Sequence, residues 1–188
     1  MSVTDKDVDD LYCEVKARYT FTFDLKDKQK EQNENVMNRP TSDCFALLPT
    51  GHGKSVCLPS LLMHQKLGVQ CTALIITPSK TLMDNQVVEL RAKGITAAGI
   101  KQGISDAEKE DVFAGRVTHL FAIPKALREG NWRKVLLNLY NQKLLLQACD
   151  EAHTVSERGL DFRPTYRQVT LVTSILDAPI SAVTATAT

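Results

Sequence analysis

The sequence lacks several features that mark specialised classes of protein. No apolar run approaches the roughly 18 residues of a membrane-spanning helix, and the acidic, polar residues 1–10 predict no secretory signal. The formal net charge is only +1, which argues against nucleic-acid binding through bulk positive charge but allows a local basic strip. The sequence shows no internal repeat, low-complexity tract or long linker. We therefore expect a globular chain with no membrane partner.

The cysteines do not form the pattern of a disulfide framework or a zinc site. There are 5 of them, an odd number, and their spacing does not match that of zinc ligands. Most lie in apolar runs, which predicts buried free thiols in a reducing compartment. The five positions are Cys13, Cys44, Cys57, Cys71 and Cys149.

Short apolar runs alternate with helical patterns along the 188 residues, a length typical of one domain or of one domain with a small appendage. The runs are fully apolar rather than half polar, as in strands of a parallel sheet that is covered by helices on both faces. Hydrophobic residues make up 43% of the chain, enough for such a core. Ligands of these sheets bind at the carboxyl ends of the strands. The loops expected to share that edge follow Leu48, Ile76, Ile123, Cys149 and Thr184.

Hydrophobic periodicity and capping residues give the approximate bounds of the elements. Ser79 is predicted to cap one helix, and Ser105 with Glu108 has the spacing of a capping box. Residues 21–23 are predicted to be extended. The predicted helices cover residues 4–19, 25–37, 56–67, 80–93, 105–115, 132–139 and 164–176, with a short one after Pro124. The predicted strands cover residues 44–48, 71–76, 95–100, 118–123, 144–149 and 180–184.

The loop at residues 49–55 is predicted to bind phosphate. It lies between a predicted strand and a predicted helix, and its glycines let backbone N–H groups turn toward an anion. The helix N-terminus adds a positive dipole end, Lys54 supplies a mobile charge, and the Ser55 hydroxyl can bind Mg²⁺. Leu48 replaces a glycine of the general motif, so a glycine-rich turn with a surface lysine is the alternative. The loop residues are Thr50, Gly51, His52, Gly53, Lys54 and Ser55.

A second group of functional residues follows the apolar strand at 144–149. Asp150 fits the carboxylate that holds Mg²⁺ at the end of a neighbouring strand in phosphate-loop ATPases. Glu151 can polarise the attacking water as a general base, and His153 can link the nucleotide to its surroundings. The alternative is an acidic helix start, since such residues also favour the first turn of a helix.

The motifs together resemble those of the first RecA-like motor domain of a superfamily 2 DNA helicase, specifically the RecQ family, from about Phe23 to the end. Residues 150–153 read Asp-Glu-Ala-His, a DEAH box, and resemble motif II. The most family-specific stretch is residues 150–166, which is similar to the aromatic-rich loop that couples DNA binding to ATP hydrolysis. Motif I is represented by the phosphate loop, motif Ia by residues 77–87, motif Ib by residues 121–127 and motif III by residues 184–187.

The resemblance implies an α/β fold, a RecA-like P-loop NTPase domain with a mostly parallel central sheet and helices on both faces. It divides the chain into an N-terminal helical extension, residues 1–24, and the ATP-binding domain, residues 25–188. It implies ATP and Mg²⁺ as cofactors, with Lys54, Asp150, Glu151 and His153 as catalytic residues and Ser55 and Asp150 as metal ligands. Gln29 lies where the family's glutamine recognises adenine. A nuclear location is expected only because eukaryotic relatives work there.

The implied nucleic-acid partner is single-stranded or partly duplex DNA, unwound with 3′–5′ polarity. Hydroxyls and lysines near strand ends suit the phosphate backbone, and Phe162 could stack on a base. The alternatives are a solvated surface for Lys80 and Lys125, and core packing for Phe162. The implied DNA-contacting residues are Ser79, Lys80, Thr81, Lys125, Arg158, Phe162 and Arg163.

The sequence also departs from the family pattern. Arg158 and Leu160 replace a usual tryptophan and histidine, which puts the coupling of DNA binding to hydrolysis in doubt, and Lys26 replaces an arginine near Gln29. The sequence ends at motif III, without the second RecA-like domain that supplies the family's arginine finger. We therefore expect these 188 residues to bind ATP or ADP with Mg²⁺ but to hydrolyse ATP slowly. The alternative is a module that binds nucleotide or nucleic acid without turnover.

Overall fold

The computed structural model describes residues 4–22, 24–38, 43–47, 72–101, 104–128, 132–142, 144–150 and 180–184. The predicted helices at residues 56–67 and 164–176 lie outside these ranges, as does Phe23. Residues 21 and 22 have no regular secondary structure. Within the described residues, no helix has both the length and the apolar character that crossing a membrane requires.

The described elements follow the predicted alternation closely, with bounds that differ by one to three residues at most ends. The helices are α1 (Asp5–Arg18), α2 (Asp27–Asn38), α3 (Lys80–Ala92), α4 (Asp106–Phe113), α5 (Pro124–Arg128) and α6 (Trp132–Gln142). The strands are β1 (Cys44–Leu47), β2 (Thr72–Ile76), β3 (Ala97–Ile100), β4 (His119–Ala122), β5 (Leu144–Asp150) and β6 (Ile180–Thr184).

The six strands form one sheet in the order β1-β6-β5-β2-β4-β3, and every neighbouring pair is parallel. The described strands therefore all end at the same edge of the sheet. This pairing confirms the predicted α/β class with a parallel central sheet. Parallel strands need crossover connections, which helices provide here between short apolar strands.

Helices cover both faces of the sheet, as the apolar strands predict. Alternate residues of β2 belong to different clusters: Ala73 and Ile75 lie in one buried core, and Leu74 and Ile76 lie in the other. The first core also contains apolar residues of α1, α2 and α3. The second contains apolar residues of α4, α5 and α6, and Trp132 packs against it.

Helix α1 belongs to the first core. Thr4 and Asp7 form a capping box at its start, and Val8, Tyr12 and Val15 are almost completely buried. These three residues share a core cluster with β2 and α3. The division of the chain at residue 24 stays a prediction, but α1 contributes core residues to the same unit as the sheet.

Helices α3 and α4 end in the same way. At the end of α3, Gly94 has a φ of 76°, its N–H donates to the carbonyl of Arg91, and the N–H of Ile95 donates to the carbonyl of Leu90. Gly115 follows α4 with a φ of 65° and equivalent hydrogen bonds. These are Schellman motifs, which glycine favours because it has no Cβ to clash. The motif at Gly94 uses the N–H of Ile95, so β3 starts at Ala97 rather than at Ile95.

Two side-chain predictions need correction. Helical spacing predicts a face of Leu82, Val87 and Leu90 on α3. Met83 is fully buried whereas Leu82 is only partly buried, so the core face of this helix is formed by Met83, Val87 and Leu90. Cys13 is exposed on α1, although the cysteines were expected to be mostly buried. Cys149 is buried and Cys44 is half-buried, while Cys57 and Cys71 lie outside the described residues.

Candidate nucleotide and nucleic-acid site

The candidate site lies at the edge where the parallel strands end. Loops leave this edge from β1 toward residues 49–55, from β5 toward Glu151, and from β2 and β4 toward α3 and α5. The strand ends from which the sequence motifs continue therefore share one edge of the sheet, which is where ligands bind in this class of fold. In the order of the sheet, the last residues of the strands are Leu47, Thr184, Asp150, Ile76, Ala122 and Ile100.

The strand before the phosphate loop and the strand that carries Asp150 are separated by β6. Leu47 pairs with Thr184, and Asp150 pairs with Val183, so the ends of all three strands are level. Two strand spacings separate β1 from β5 by about 10 Å. The two strands are therefore next-nearest neighbours, not adjacent, because β6, which ends at Thr184, lies between them.

Several predicted site residues lie outside the described part of the chain, and their roles stay predictions. For Asp150, the strand position is described but not the side chain. The undescribed site residues are Thr50, Gly51, His52, Gly53, Lys54, Ser55, Glu151, His153, Arg158, Phe162 and Arg163.

Gln29 occupies the first turn of α2 and is 2% exposed. Its Oε1 accepts a hydrogen bond of 2.8 Å from the backbone N–H of Lys26, as in the glutamine half of a capping box. The next residue, Lys30, forms an ion pair of 2.8 Å with Asp9 on α1. The Oε1 of Gln29 is thus bound to the backbone of its own helix start, and its predicted contact with adenine stays a prediction.

Ser79 caps α3 directly after β2. Its Oγ accepts a hydrogen bond of 3.3 Å from the N–H of Leu82, and the fully buried Thr77 donates from its hydroxyl to the carbonyl of Ser79 at 3.1 Å. Lys80 and Thr81 are exposed in the first turn. The cap thus fixes the helix N-terminus at the carboxyl edge, where the positive end of the helix dipole and a lysine favour anions.

Lys125 is exposed in the short helix α5, which follows β4. Since β2 and β4 are adjacent, Lys80 and Lys125 lie in the first turns of helices that follow neighbouring strands. Both lysines are solvent-exposed. Exposure is expected whether they contact DNA or only form a solvated surface, so it does not distinguish these two interpretations.

Sequence reasoning missed a third lysine at this edge. Lys101 follows β3, and its Nζ lies 2.7 Å from Oδ1 of Asp84 on α3. Both side chains are about one-third exposed. The available signal was the position of a lysine directly after an apolar strand, but the pairing with Asp84 depends on how α3 packs beside β3.

The sequence pattern of the DEAD/DEAH box helicase family matches residues 26–188. The chain belongs to this family. This assignment agrees with the parallel sheet and with the Asp-Glu-Ala-His sequence that begins at the last residue of β5. It also confirms the predicted RecA-like P-loop fold.

Curated proteins similar to this chain include several RecQ-type helicases. It is 34% identical over 170 residues to the probable ATP-dependent DNA helicase RecS of Bacillus subtilis, a match that covers 87% of this chain and 32% of the relative. It is 33% identical over 172 residues to the ATP-dependent DNA helicase RecQ of Haemophilus influenzae, covering 84% and 26%. It is 32% identical over 171 residues to the ATP-dependent helicase wrn-1 of Caenorhabditis elegans, covering 87% and 15%. The chain spans less than one third of each of these relatives.

Proposed function

We propose that this helicase domain is the ATP-binding motor domain of a RecQ-like, ATP-dependent DNA helicase. The observation that carries the proposal is the sheet order β1-β6-β5, in which the strand before the phosphate loop, the strand that ends at Thr184 and the strand of Asp150 end at one edge. The RecQ-type relatives support DNA as the nucleic acid. We also propose unwinding with 3′–5′ polarity and a nuclear location. Bacterial relatives of similar identity argue against the nuclear location.

The strand ends fit a nucleotide with Mg²⁺ between them. A separation of about 10 Å between the ends of β1 and β5 is short enough for residues that follow both strands to contact one nucleotide and its metal ion above the end of β6. Oxygen ligands suit Mg²⁺, and we assign Ser55 and Asp150 to hold it. When bound, the ion would neutralise charge on the phosphates. Lys54 would pair with the outer phosphates, and Glu151 would accept a proton from the attacking water.

The DNA backbone would pass over the helices that leave β2 and β4. Lys80 and Lys125 supply charge, and the capped N-terminus of α3 supplies backbone N–H donors. Contacts of this kind position a strand without reading its sequence. Arg158, Phe162 and Arg163 would add an arginine and stacking surface beyond β5.

Hydrolysis would be completed by an arginine from a second RecA-like domain. In related NTPases such a finger raises the rate by roughly 10³–10⁵. We therefore expect residues 1–188 alone to bind ATP or ADP and to hydrolyse ATP slowly. A robust DNA-stimulated ATPase rate from these residues alone would contradict this expectation.

Two variants test the proposal by separating its two binding activities. Lys54→Ala should lose most affinity for a fluorescent, non-hydrolysable ATP analogue while single-stranded DNA binding persists. Lys80→Ala, the matched lysine control, should keep nucleotide affinity and weaken DNA binding. If Lys54→Ala retained full nucleotide affinity, the assignment of the phosphate loop would be wrong.

The second candidate is a module that binds nucleotide or nucleic acid without turnover. Arg158 and Leu160 favour it, since they replace residues of the loop that couples DNA to hydrolysis. Restoring tryptophan and histidine at these positions in a chain that includes a second motor domain distinguishes the candidates. If the restored residues raise the DNA-stimulated ATPase rate, the present sequence is better explained as a binding module without turnover. If the rate is already high and does not change, the present sequence is better explained as an active motor domain.

A further inference from the structure

Lys101 lies at the carboxyl edge of the sheet, one residue after β3 ends at Ile100. The last residues of β2, β4 and β3 are level with one another, and these three strands are consecutive in the sheet. A lysine follows each of them, since Lys80 comes after β2 and Lys125 after β4. Two strand spacings separate β2 from β3 by about 10 Å. Lys101 therefore extends the two lysines of the proposed DNA surface into a row of three.

Close packing of α3 on β3 brings Asp84 to Lys101. A Cβ on Gly99 would lie 3.1 Å from the sulfur of Met83, so glycine at this position of β3 lets the helix approach the strand. Met83 is fully buried, and Asp84 is the next residue of α3. Oδ1 of Asp84 lies 2.7 Å from Nζ of Lys101. The packing of the core thus holds the carboxylate beside the lysine.

Asp84 lowers the positive charge of this row. It lies four residues after Lys80 on α3, and residues at that spacing are neighbours on one face of a helix. The first turn of α3 has no acidic residue. The other acid of this helix, Glu89, forms an ion pair of 2.6 Å with Lys93 near the opposite end. Asp84 is therefore the carboxylate of α3 that lies near the carboxyl edge, next to two of the three lysines.

The ion pair between Asp84 and Lys101 can be exchanged for another at little cost. The two side chains are 39% and 35% exposed, so water screens their attraction. A DNA phosphate is an acceptor for the same ammonium group, and its neutralisation releases counterions from the DNA. A nucleotide held at β1 and β5 is too distant to be this acceptor, because β3 lies three strand spacings, about 14 Å, beyond β5.

We propose that Lys101 contacts a phosphate of the DNA backbone and that Asp84 holds Lys101 back when no DNA is bound. Binding of DNA exchanges the carboxylate of Asp84 for a phosphate. Asp84 limits the affinity twice, because its ion pair must be broken and because its charge repels the phosphate. This inference rests on the proposed DNA surface at β2 and β4, to which it adds a third contact and an internal competitor for that contact.

The test measures the affinity of the whole chain for a labelled single-stranded oligothymidylate by fluorescence anisotropy over a series of salt concentrations. Asp84→Asn should bind about threefold more tightly than wild type, the size expected from releasing one screened ion pair. Lys101→Ala should bind more weakly, and its slope of log affinity against log salt concentration should be smaller by about 0.7. Lys101→Arg keeps the charge and should bind as wild type does.

Glu89→Gln is the matched control for Asp84→Asn. It changes the net charge by the same amount and releases Lys93 at the far end of the same helix, so it should bind DNA as wild type does. If Asp84→Asn does not fold, Asp84→Ser and Glu89→Ser replace the two variants with the same expectations. An Asp84 variant that binds no more tightly than its Glu89 control would overturn the inference.

The double variant Asp84→Asn/Lys101→Ala separates the release of Lys101 from the loss of a repelling charge. Without Lys101, Asp84→Asn removes only the repulsion, so it should raise the affinity by a smaller factor than it does in wild type. An equal factor in both backgrounds would show that Asp84 does not act through Lys101, which also overturns the inference.

Lys80→Ala distinguishes a failure of this inference from a failure of the proposed function. If Lys80→Ala weakens DNA binding while Asp84→Asn leaves it unchanged, only the role of Asp84 and Lys101 is wrong. If neither variant changes DNA binding, the proposed DNA surface at β2 and β4 is wrong as well.

Discussion

Gln32 on α2 donates a hydrogen bond from Nε2 to Oγ of Ser181 on β6, over 3.2 Å, and both side chains are buried. The two residues lie 149 positions apart in the sequence. This contact joins the helix that carries Gln29 to the strand that ends in motif III. The helix of the predicted adenine contact is thus hydrogen-bonded to the strand that lies between β1 and β5.

Replacing Gln32 by leucine tests the strength of that connection. Gln32→Leu should lower the free energy of unfolding by about 1–3 kcal/mol, because the buried Ser181 hydroxyl loses this partner. Urea denaturation should show a lower midpoint with an unchanged slope. The double variant Gln32→Leu/Ser181→Ala should recover part of the loss, since it removes both polar groups. A single variant as stable as wild type would show that the bond contributes nothing.

Ser79 has a structural role that is separable from its predicted DNA contact. Ser79→Asp keeps an acceptor for the N–H of Leu82 and should preserve thermal stability, but its charge should repel phosphates and weaken single-stranded DNA binding. Ser79→Ala loses the cap and should cost about 0.5–2 kcal/mol of stability. Equal DNA affinity in wild type and Ser79→Asp would place the DNA elsewhere.

The exposed lysines at the carboxyl edge should give a salt-dependent contribution to DNA binding. Removing Lys80 or Lys125 should each reduce the slope of log affinity against log salt concentration by about 1 if the lysine neutralises a phosphate. Lys109 on α4, paired with Asp106, is a matched control away from this edge. Identical slopes in all three lysine-to-alanine variants would favour the solvated-surface alternative.

Tyr12 should make the fold sensitive to alkaline pH. Burial, followed by the negative charges of Asp24 and Cys13, raises the pKa of Tyr12 from 10.0 to about 12. The unfolded chain therefore loses this proton first, and stability is complete below pH 10 and falls as the pH rises toward 12. Tyr12→Phe should flatten this decline in thermal unfolding temperature. A decline that is equally steep in Tyr12→Phe would assign the loss to other groups.

Glu108 should contribute stability that is lost in acid. The hydrogen bond from Arg91, more than that from Ser105, holds the pKa of Glu108 below its usual 4.5, although burial opposes the shift. The contribution is therefore complete above about pH 4.5 and disappears as the pH falls through the lower, folded-state value. The side chain is one-third exposed, so the effect should be small. Unfolding temperatures of Glu108→Gln and wild type should converge below that range.

The sequence alone determined the class of fold and the family. Fully apolar strands between helical patterns are typical of a buried parallel sheet, and the sequence of residues 49–55 with the Asp-Glu-Ala-His sequence at residues 150–153 resembles that of a phosphate-loop helicase. The caps at Ser79 and Ser105 were also predictable, since a capping residue acts on the backbone only two or three positions away. Local chemistry at these positions is sufficient to fix local structure.

Only the tertiary structure decided which strands and side chains meet. Sequence order placed Asp150 on a neighbour of the phosphate-loop strand, whereas β6, the last strand, lies between the two. The pairs Gln32–Ser181, Lys101–Asp84 and Arg91–Ala97 likewise depend on how helices pack on the sheet. Hydrophobic burial sets which face of an element is covered but is non-directional. Strand order and these contacts are settled when the whole sheet assembles.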